Sequence, residues 1–329
     1  MHAPFMSSAQ NPPVDDAREL LVVICTHDRK DLLLQTLATL DADLAGDAHG
    51  SAQRCALLVV LNNCSDGSAS ALAALAASRP PDAAPLYWLE EARPGKSHAL
   101  NTAIAASTHP LLAFVDDDQW VEAGFVAAIL RGAAQFPQDT LFCGRMMPAW
   151  DGSEPAWVHA QAPYRIPIRP FPEFDLGATG LRLAAEARMP SGGNLVVRRT
   201  VFDQVGAFDT TLGPTGHNLL GGEDHEFLQR AVAAGHLPRY LPDMRQLHTI
   251  DPGRMETGYT LRKSFLRSRS SAIIHNPGQA LRPFMFMKLF GHLMRALFTL
   301  DGNRRFYYLV RSAASLGEMS AATTRHRPD

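Results

Sequence analysis

The chain has 329 residues, 46% hydrophobic and 19% charged, which excludes a collagen, a disordered chain and a disulfide-stapled mini-protein. Four cysteines, Cys25, Cys55, Cys64 and Cys143, form no CxxC pair, so neither a zinc knuckle nor a disulfide framework is indicated and a reducing compartment is expected. The net charge of −2 conceals an asymmetry: residues 1–253 hold 18 Lys and Arg against 29 Asp and Glu, while residues 254–329 hold 13 against 4, an acidic body with a basic tail.

Residues 1–17 are rich in Pro, Asp, Ser and Ala without periodicity and read as a disordered leader. They lack a basic stretch followed by an apolar run of signal-peptide length, so export is not expected and a cytoplasmic location is. The first apolar run, Leu20 to Ile24, is too short to span a bilayer. It ends at Thr26-His27-Asp28-Arg29, and Leu32, Leu33, Leu37 and Leu40 follow at helical spacing: a buried strand, a polar loop and a helix. The unit recurs with a strand over Ala56 to Leu61, the loop Asn62-Asn63-Cys64-Ser65-Asp66-Gly67-Ser68 and an Ala/Leu-rich helix through Leu75. A third copy runs from Leu86 to Leu89 through Arg93-Pro94-Gly95-Lys96 into a helix over Ser97 to Ala106, and a fourth strand, Pro110 to Val115, meets Asp116-Asp117-Asp118. Strands apolar throughout and alternating with helices predict an α/β fold with a mostly parallel sheet flanked by helices, whose ligands bind beyond the carboxyl ends of the strands. The polar clusters all lie at those ends, which makes the crevice a candidate nucleotide site.

Between Pro148 and Pro190 the chain is irregular, with scattered aromatic residues among prolines, a length that points to function or insertion. Order returns at Gly192-Gly193-Asn194-Leu195-Val196-Val197, then at Gly221-Gly222-Glu223-Asp224, which opens a helix ending near Gly235, and at a strand around Tyr240 that leads to His248. Three adjacent aspartates repel one another unless something positive offsets them, and a hard divalent cation does this well. The alternative is that Asp118 caps a helix beginning near Val121. Glu223-Asp224 reads either as a solvated first helical turn or as the site of a general base taking a proton from a hydroxyl. His248 reads as structural unless it points back at the aspartates.

Thr26-His27-Asp28-Arg29, the Asn62 to Ser68 loop, Arg93-Pro94-Gly95-Lys96 with Ala99-Leu100-Asn101, Phe114 to Asp118, Gly192-Gly193-Asn194 and Gly221 to Asp224 together resemble the ordered motifs of family 2 glycosyltransferases of the GT-A (Rossmann-like) fold, of the bacterial surface-polysaccharide type. The resemblance implies a GT-A domain over 18–253 and an inverting, metal-dependent transfer of a sugar from a nucleotide diphosphate donor to an acceptor hydroxyl. It implies that Thr26, His27, Asp28, Arg29 and Asn62 cradle base and ribose, with Lys96 at base and diphosphate, Asp116 on the ribose and metal side and Asp117 among the nucleotide-sugar-binding residues. Asp118, with Asp116 and His248, would bind Mg2+ or Mn2+; Asp224 would be the catalytic base; Gly193, Asn194 and Glu223 would line the acceptor and sugar side. Asn62 departs from the family pattern, which commonly has Asp there to accept the N3 proton of uracil; an amide oxygen accepts without charge, which leaves uridine, thymidine and guanosine donors open. No QxxRW-like motif is present, which argues for adding one sugar at a time.

Residues 254–329 are expected to form a basic, amphipathic helical region. In Phe284 to Phe298 the cationic positions Lys288, His292 and Arg295 recur at helical spacing among Phe, Met and Leu. Such a helix suits either the interface of an anionic membrane, which would make the protein peripheral at the inner face of the plasma membrane with a glycan or lipid-linked acceptor, or packing on the catalytic domain or in a dimer. Nucleic acid is not an expected partner, since the body is acidic and no aromatic-basic reading motif is present. Two other functions fit parts of the pattern: a sugar nucleotidyltransferase, which would release pyrophosphate, and a non-catalytic scaffold that only binds the sugar nucleotide.

Overall fold

The structure, a computed structural model, describes residues 17–47, 50–167, 171–214, 222–275 and 280–323. Gly221 of the glycine-rich motif, and the expected leader up to residue 16, lie outside the described residues. The chain divides into two compact units, one of residues up to 147 with 173–249, the other of 148–172 with 250 onward.

In the first unit the order is β1 (Leu20–Thr26), α1 (Lys30–Gly46), α2 (Ser51–Arg54), β2 (Cys55–Asn62), α3 (Ser68–Ser78), β3 (Leu86–Glu91), α4 (Lys96–Ala105), β4 (Leu111–Asp116), β5 (Gln119–Val121), α5 (Phe125–Gln135), β6 (Leu141–Pro148), β7 (Leu181–Arg182), β8 (Leu195–Arg198), α6 (Arg199–Val205), α7 (Glu223–Ala233) and β9 (Pro238–His248). The sheet runs β3-β2-β1-β4-β8-β6-β9-β5, with β7 paired to β9. The first four strands are parallel, as the strand-helix alternation predicts. Beyond β4 the pairs β4–β8, β8–β6, β5–β9 and β7–β9 are antiparallel.

The continuous apolar strands are explained by burial on both faces. Leu20, Val22 and Ile24 of β1 and Leu57, Val59 and Leu61 of β2 pack with Leu33, Leu37 and Leu40 of α1 and Phe125 and Ile129 of α5. Their neighbours Leu21, Val23, Leu58 and Val60 face the other way, onto Leu100 and Ile104 of α4 and Phe227 of α7. Alternate side chains thus feed two cores, which is why the strands read as unbroken hydrophobic runs.

Asp118 caps no helix. The residues after it form the short strand β5, and α5 starts only at Phe125. Its entry is capped instead by Asp43 of α1, whose carboxylate accepts the Gly124 and Val126 N–H groups at 2.6 and 2.9 Å.

The expected boundary at residue 253 and the irregular stretch 148–190 are resolved differently by the fold. Residues 148–172 belong with the C-terminal helices α8 (Thr257–His275), α9 (Pro283–Phe298) and α10 (Gly302–Thr323). Trp157, Val158, Ile166 and Phe171 share a core with Met255, Phe306 and Val310, because the aromatic side chains of the loop cover the apolar face of α10. Residues 173–190 stay with the sheet, where Phe174 bridges to Met146 and packs on Tyr240.

Gly144 on β6 has no room for a side chain: a Cβ there would overlap the Met244 carbonyl oxygen and side chain on β9. Gly144→Ala is therefore expected to lower stability by about 2 kcal/mol or more, read as a shift in the urea midpoint, since the obstacle is backbone and cannot rotate away.

Candidate functional site

The parallel register brings the polar strand ends level. Thr26 lies opposite Leu61, Asn62 opposite Glu91 and Cys25 opposite Asp116. The loop after β1 is then tied to the loop after β2. Asp28, in the left-handed region at φ 49°, accepts the Ser65 N–H at 2.6 Å, and Asp66 accepts the Lys30 N–H at 2.8 Å. His27 Nδ1 donates to the Asn62 carbonyl at 2.8 Å.

Asn62 is buried, and its amide holds the third loop in place. Its Nδ2 donates to the Glu91 and Arg93 carbonyls at 3.2 and 2.7 Å, and its Oδ1 accepts the Gly95 N–H at 2.8 Å. Both amide hydrogens are thereby used, and Oδ1 is engaged by one backbone N–H.

The three aspartates separate their charges by turning to different partners. Asp116 pairs with Lys96 Nζ. Asp117 turns inward to Thr26 Oγ1 at 2.6 Å and Arg29 Nη1 at 2.8 Å. Asp118 meets the same Arg29 nitrogen at 3.0 Å and His248 Nε2 at 3.3 Å. Burial pushes the Asp117 carboxyl up to about 6, with Asp118 adding to the rise and Arg29 and Thr26 opposing it. Burial works against both members of the Lys96–Asp116 pair, yet their mutual attraction prevails, so Lys96 is held above and Asp116 below its usual range.

The register of β5 against β9 sets Gln119 opposite His248, and this brings the imidazole to the aspartates. One ligand atom each from Asp116, Asp118 and His248 lie within 4.8 Å of one another. His248 Nδ1 lies 2.6 Å from the Thr249 carbonyl, which can only accept, so Nδ1 carries the hydrogen. Its Nε2 faces the Asp118 carboxylate. Two carboxylates and an imidazole are a donor set suited to a hard or borderline divalent ion.

Opposite this group stand Gly192–Asn194 and the start of α7. Gly193 packs so tightly on Asp116 that a Cβ would overlap its carboxylate and the Gln119 amide. Asp224 Oδ2 accepts the Gly192 N–H at 2.8 Å, and Oδ1 accepts the His225 N–H at 2.7 Å. Glu223 is buried, which pushes its carboxyl up against the pull of Lys96. Cys25, Lys96, Asp116, Gly192, Glu223 and Asp224 border one small cavity of about 10 Å3.

Asn194 does not face that space. It is fully buried, and its amide pairs twice with the Gly144 backbone, Nδ2 donating to the carbonyl at 2.7 Å and Oδ1 accepting the N–H at 2.9 Å. These bonds make it a positioning residue for the Gly192–Asn194 turn.

Two buried glutamines escaped the sequence reading. Gln119 accepts the Asp116 N–H at 3.0 Å, and Gln246 donates to the Gly193 carbonyl at 2.8 Å. The available signal was a polar residue inside a short apolar strand, which spacing alone does not separate from a surface position.

Together the parallel half-sheet, its helices on both faces and the acidic strand end define a GT-A α/β domain. The family model for glycosyl transferase family 2 matches residues 21–206, more than half of the chain, and the chain belongs to that family; it is a glycosyltransferase. No curated protein matches it. Among solved structures it is similar to the mannosyltransferase PcManGT from Pyrobaculum calidifontis in complex with GDP-Man and Mn2+, with a TM-score of 0.52 at 19% identity over 95% of this chain and 78% of that one. It is also similar to S. aureus TarS 1-349, with a TM-score of 0.55 at 11% identity over 92% and 90%. The same S. aureus protein in complex with UDP-GlcNAc gives 0.53 at 13% identity over 92% and 90%. At these identities the likeness is one of fold.

Glu91, at the end of β3, organises the Arg93–Gly95 loop. It accepts the Arg93 N–H and Nε at 2.9 and 2.8 Å and the Thr102 hydroxyl at 2.5 Å. The Arg93 bonds above all hold its carboxyl down, near about 2 rather than 4.5. A depressed carboxyl stabilises the fold above its unfolded value, and that contribution is lost as pH falls from 4.5 towards about 2. Glu91→Gln is thus expected to be less stable at neutral pH and to show a flatter acid limb below pH 4.5, measured as urea midpoints across pH.

Proposed function

We propose that the protein is an inverting glycosyltransferase that binds a nucleotide diphosphate sugar at the carboxyl ends of β1, β2 and β4 and transfers its sugar to an acceptor hydroxyl, with Asp224 as the base. The observation that carries this reading is the meeting of Lys96, Asp116, Glu223 and Asp224 around one small cavity, with Asp118 and His248 beside Asp116. Asp116, Asp118 and His248 would hold Mg2+ or Mn2+, which when bound supplies positive charge for the donor diphosphate. The Mn2+ in the PcManGT complex supports that choice.

The loop 26–29, Asn62 and Lys96 receive the nucleotide. Arg29 and Lys96 supply cationic charge, and Asp117 fixes Thr26 and Arg29 through its two oxygens. GDP-Man in one similar structure and UDP-GlcNAc in another support a sugar nucleotide as donor without choosing the base. Asp224 takes the proton of the acceptor hydroxyl as its oxygen attacks the anomeric carbon, on the face opposite the diphosphate. The bond from that carbon to the diphosphate oxygen breaks, and the nucleoside diphosphate leaves with the electron pair, so configuration inverts. Gly192 N–H orients the base, and Glu223 and Gly193 border the acceptor side. The acceptor is a glycan or lipid-linked glycan of cell-surface polysaccharide or glycolipid assembly, and the enzyme works at the cytoplasmic side.

Calorimetry with UDP, TDP and GDP, in Mn2+ and then in EDTA, tests the donor site. One nucleotide is expected to bind in a metal-dependent way, and Asp118→Ala to abolish it; binding unchanged by EDTA and by the substitution would refute the assignment. Asp224→Asn keeps an oxygen for the Gly192 N–H and is expected to retain donor binding while transfer falls by about 100-fold or more. Near-normal turnover would remove Asp224 from the role of base.

A further inference from the structure

The second unit carries a surface that the transfer reaction does not use. Within it, α8 and α10 lie close together: Gly317 leaves no space for a Cβ against the Phe265 carbonyl, and Ser264 Oγ donates to the Val310 carbonyl at 3.0 Å. Helix α9 is held on α10 by Lys288 Nζ to Glu318 at 2.8 Å, by the His292 ring stacked on Tyr308 at 6.3 Å and by Arg295 over the same ring at 5.9 Å. Met285 and Ala296 are buried. These contacts fix the rotation of α9, and its opposite face is left to solvent. Phe286, Met287, Phe290, Leu293, Leu297 and Phe298 are between 45% and 73% exposed. Phe286, Phe290, Leu293 and Leu297 recur at i, i+4, i+7 and i+11, so they form one stripe. Among the described residues of the first unit, the exposed large apolar side chains are Leu181 and Leu212, at 38% and 36%. An exposed stripe of this size marks a contact surface.

The charge pattern selects the occupant. Helix α9 contains no acidic residue; of its cations, Lys288 is paired with Glu318 of α10 and Arg295 lies over Tyr308. The segment 254–329 that contains it carries 13 Lys and Arg against 4 Asp and Glu. A second copy joined stripe to stripe would bring two such basic segments together. The acidic body of another copy offers opposite charge, but its two exposed leucines cannot cover six large apolar side chains. An anionic bilayer supplies both an apolar interior and negative headgroups. Among the described residues no helix is long and apolar enough to cross a membrane, so the contact is interfacial.

We propose that α9 docks the second unit on an anionic lipid surface, lying in the interface with its aromatic and aliphatic stripe at the acyl boundary and the basic residues at the headgroups. The inference stands on this unit alone and goes beyond the proposed reaction, since it needs neither donor nor acceptor.

The full chain, without nucleotide, is floated with vesicles of phosphatidylcholine alone or of phosphatidylcholine with phosphatidylglycerol. Binding is expected to the anionic vesicles only, to weaken with added salt, and to fall about ten-fold or more for Phe290→Glu or Leu297→Glu. A Phe290→Trp variant is expected to show a blue-shifted, bromolipid-quenched emission on the same vesicles, a readout that does not depend on a disruptive charge. Equal retention on both vesicle types, wild-type binding by the Glu variants, or an oligomer that Leu297→Glu turns into a monomer would each overturn the proposal.

Discussion

Three carboxylates in succession at the end of one buried strand are the constraint around which the first unit is built. At an effective dielectric near 20, neighbouring charges about 4 Å apart interact by about 4 kcal/mol, a repulsion large against the net stability of a domain. The fold answers by giving each aspartate a separate direction. Asp116 turns to Lys96 at the start of α4, Asp117 to Thr26 and Arg29 after β1, and Asp118 to Arg29 and to His248 at the end of β9. Elements distant in sequence are thereby tied to one strand end, and the same cations that relieve the repulsion leave a concentrated charge pattern at the site proposed for the donor.

Behind the charges is a layer of buried amides. Gln119, Asn194 and Gln246 are each almost fully enclosed and bind backbone groups of Asp116, Gly144 and Gly193. Buried amides destabilise unless they find partners, and here their bonds fix the glycine turn against the Asp116 carboxylate. Gly193 is needed for that approach because any side chain would displace the acid it faces. The site therefore depends on buried residues that set where the carboxylates stand.

The two units differ in character as well as in charge. The first is a sheet enclosed on both faces, and its apolar residues are almost all inside. The second buries an aromatic core drawn from both the 148–172 loop and the C-terminal helices, and still leaves the outer face of α9 uncovered. Membership of glycosyl transferase family 2 accounts for the first unit; the matched residues, 21–206, stop short of the C-terminal helices.

The parallel half of the sheet was legible because local hydrophobic runs and helical spacing are properties of short segments, and the polar loops between them stood out against apolar strands. The carboxylate clusters were legible for the same reason: adjacent like charges are visible wherever they fall. The partners were not. That Asp118 opens the strand β5 rather than a helix, that His248 comes back to it through the Gln119 pairing, and that Asn194 turns to Gly144 all follow from antiparallel registers between segments far apart in the chain. Nor did the sequence separate the aromatic loop 148–172 from the sheet, since which core an exposed aromatic joins depends on what surface is available to it. Sequence by itself determined the α/β class, the chemistry at the strand ends and the basic amphipathic helix. Only the tertiary structure decided which acid meets which cation and which face of α9 remains bare, because those depend on long-range packing and strand register, which no local pattern encodes.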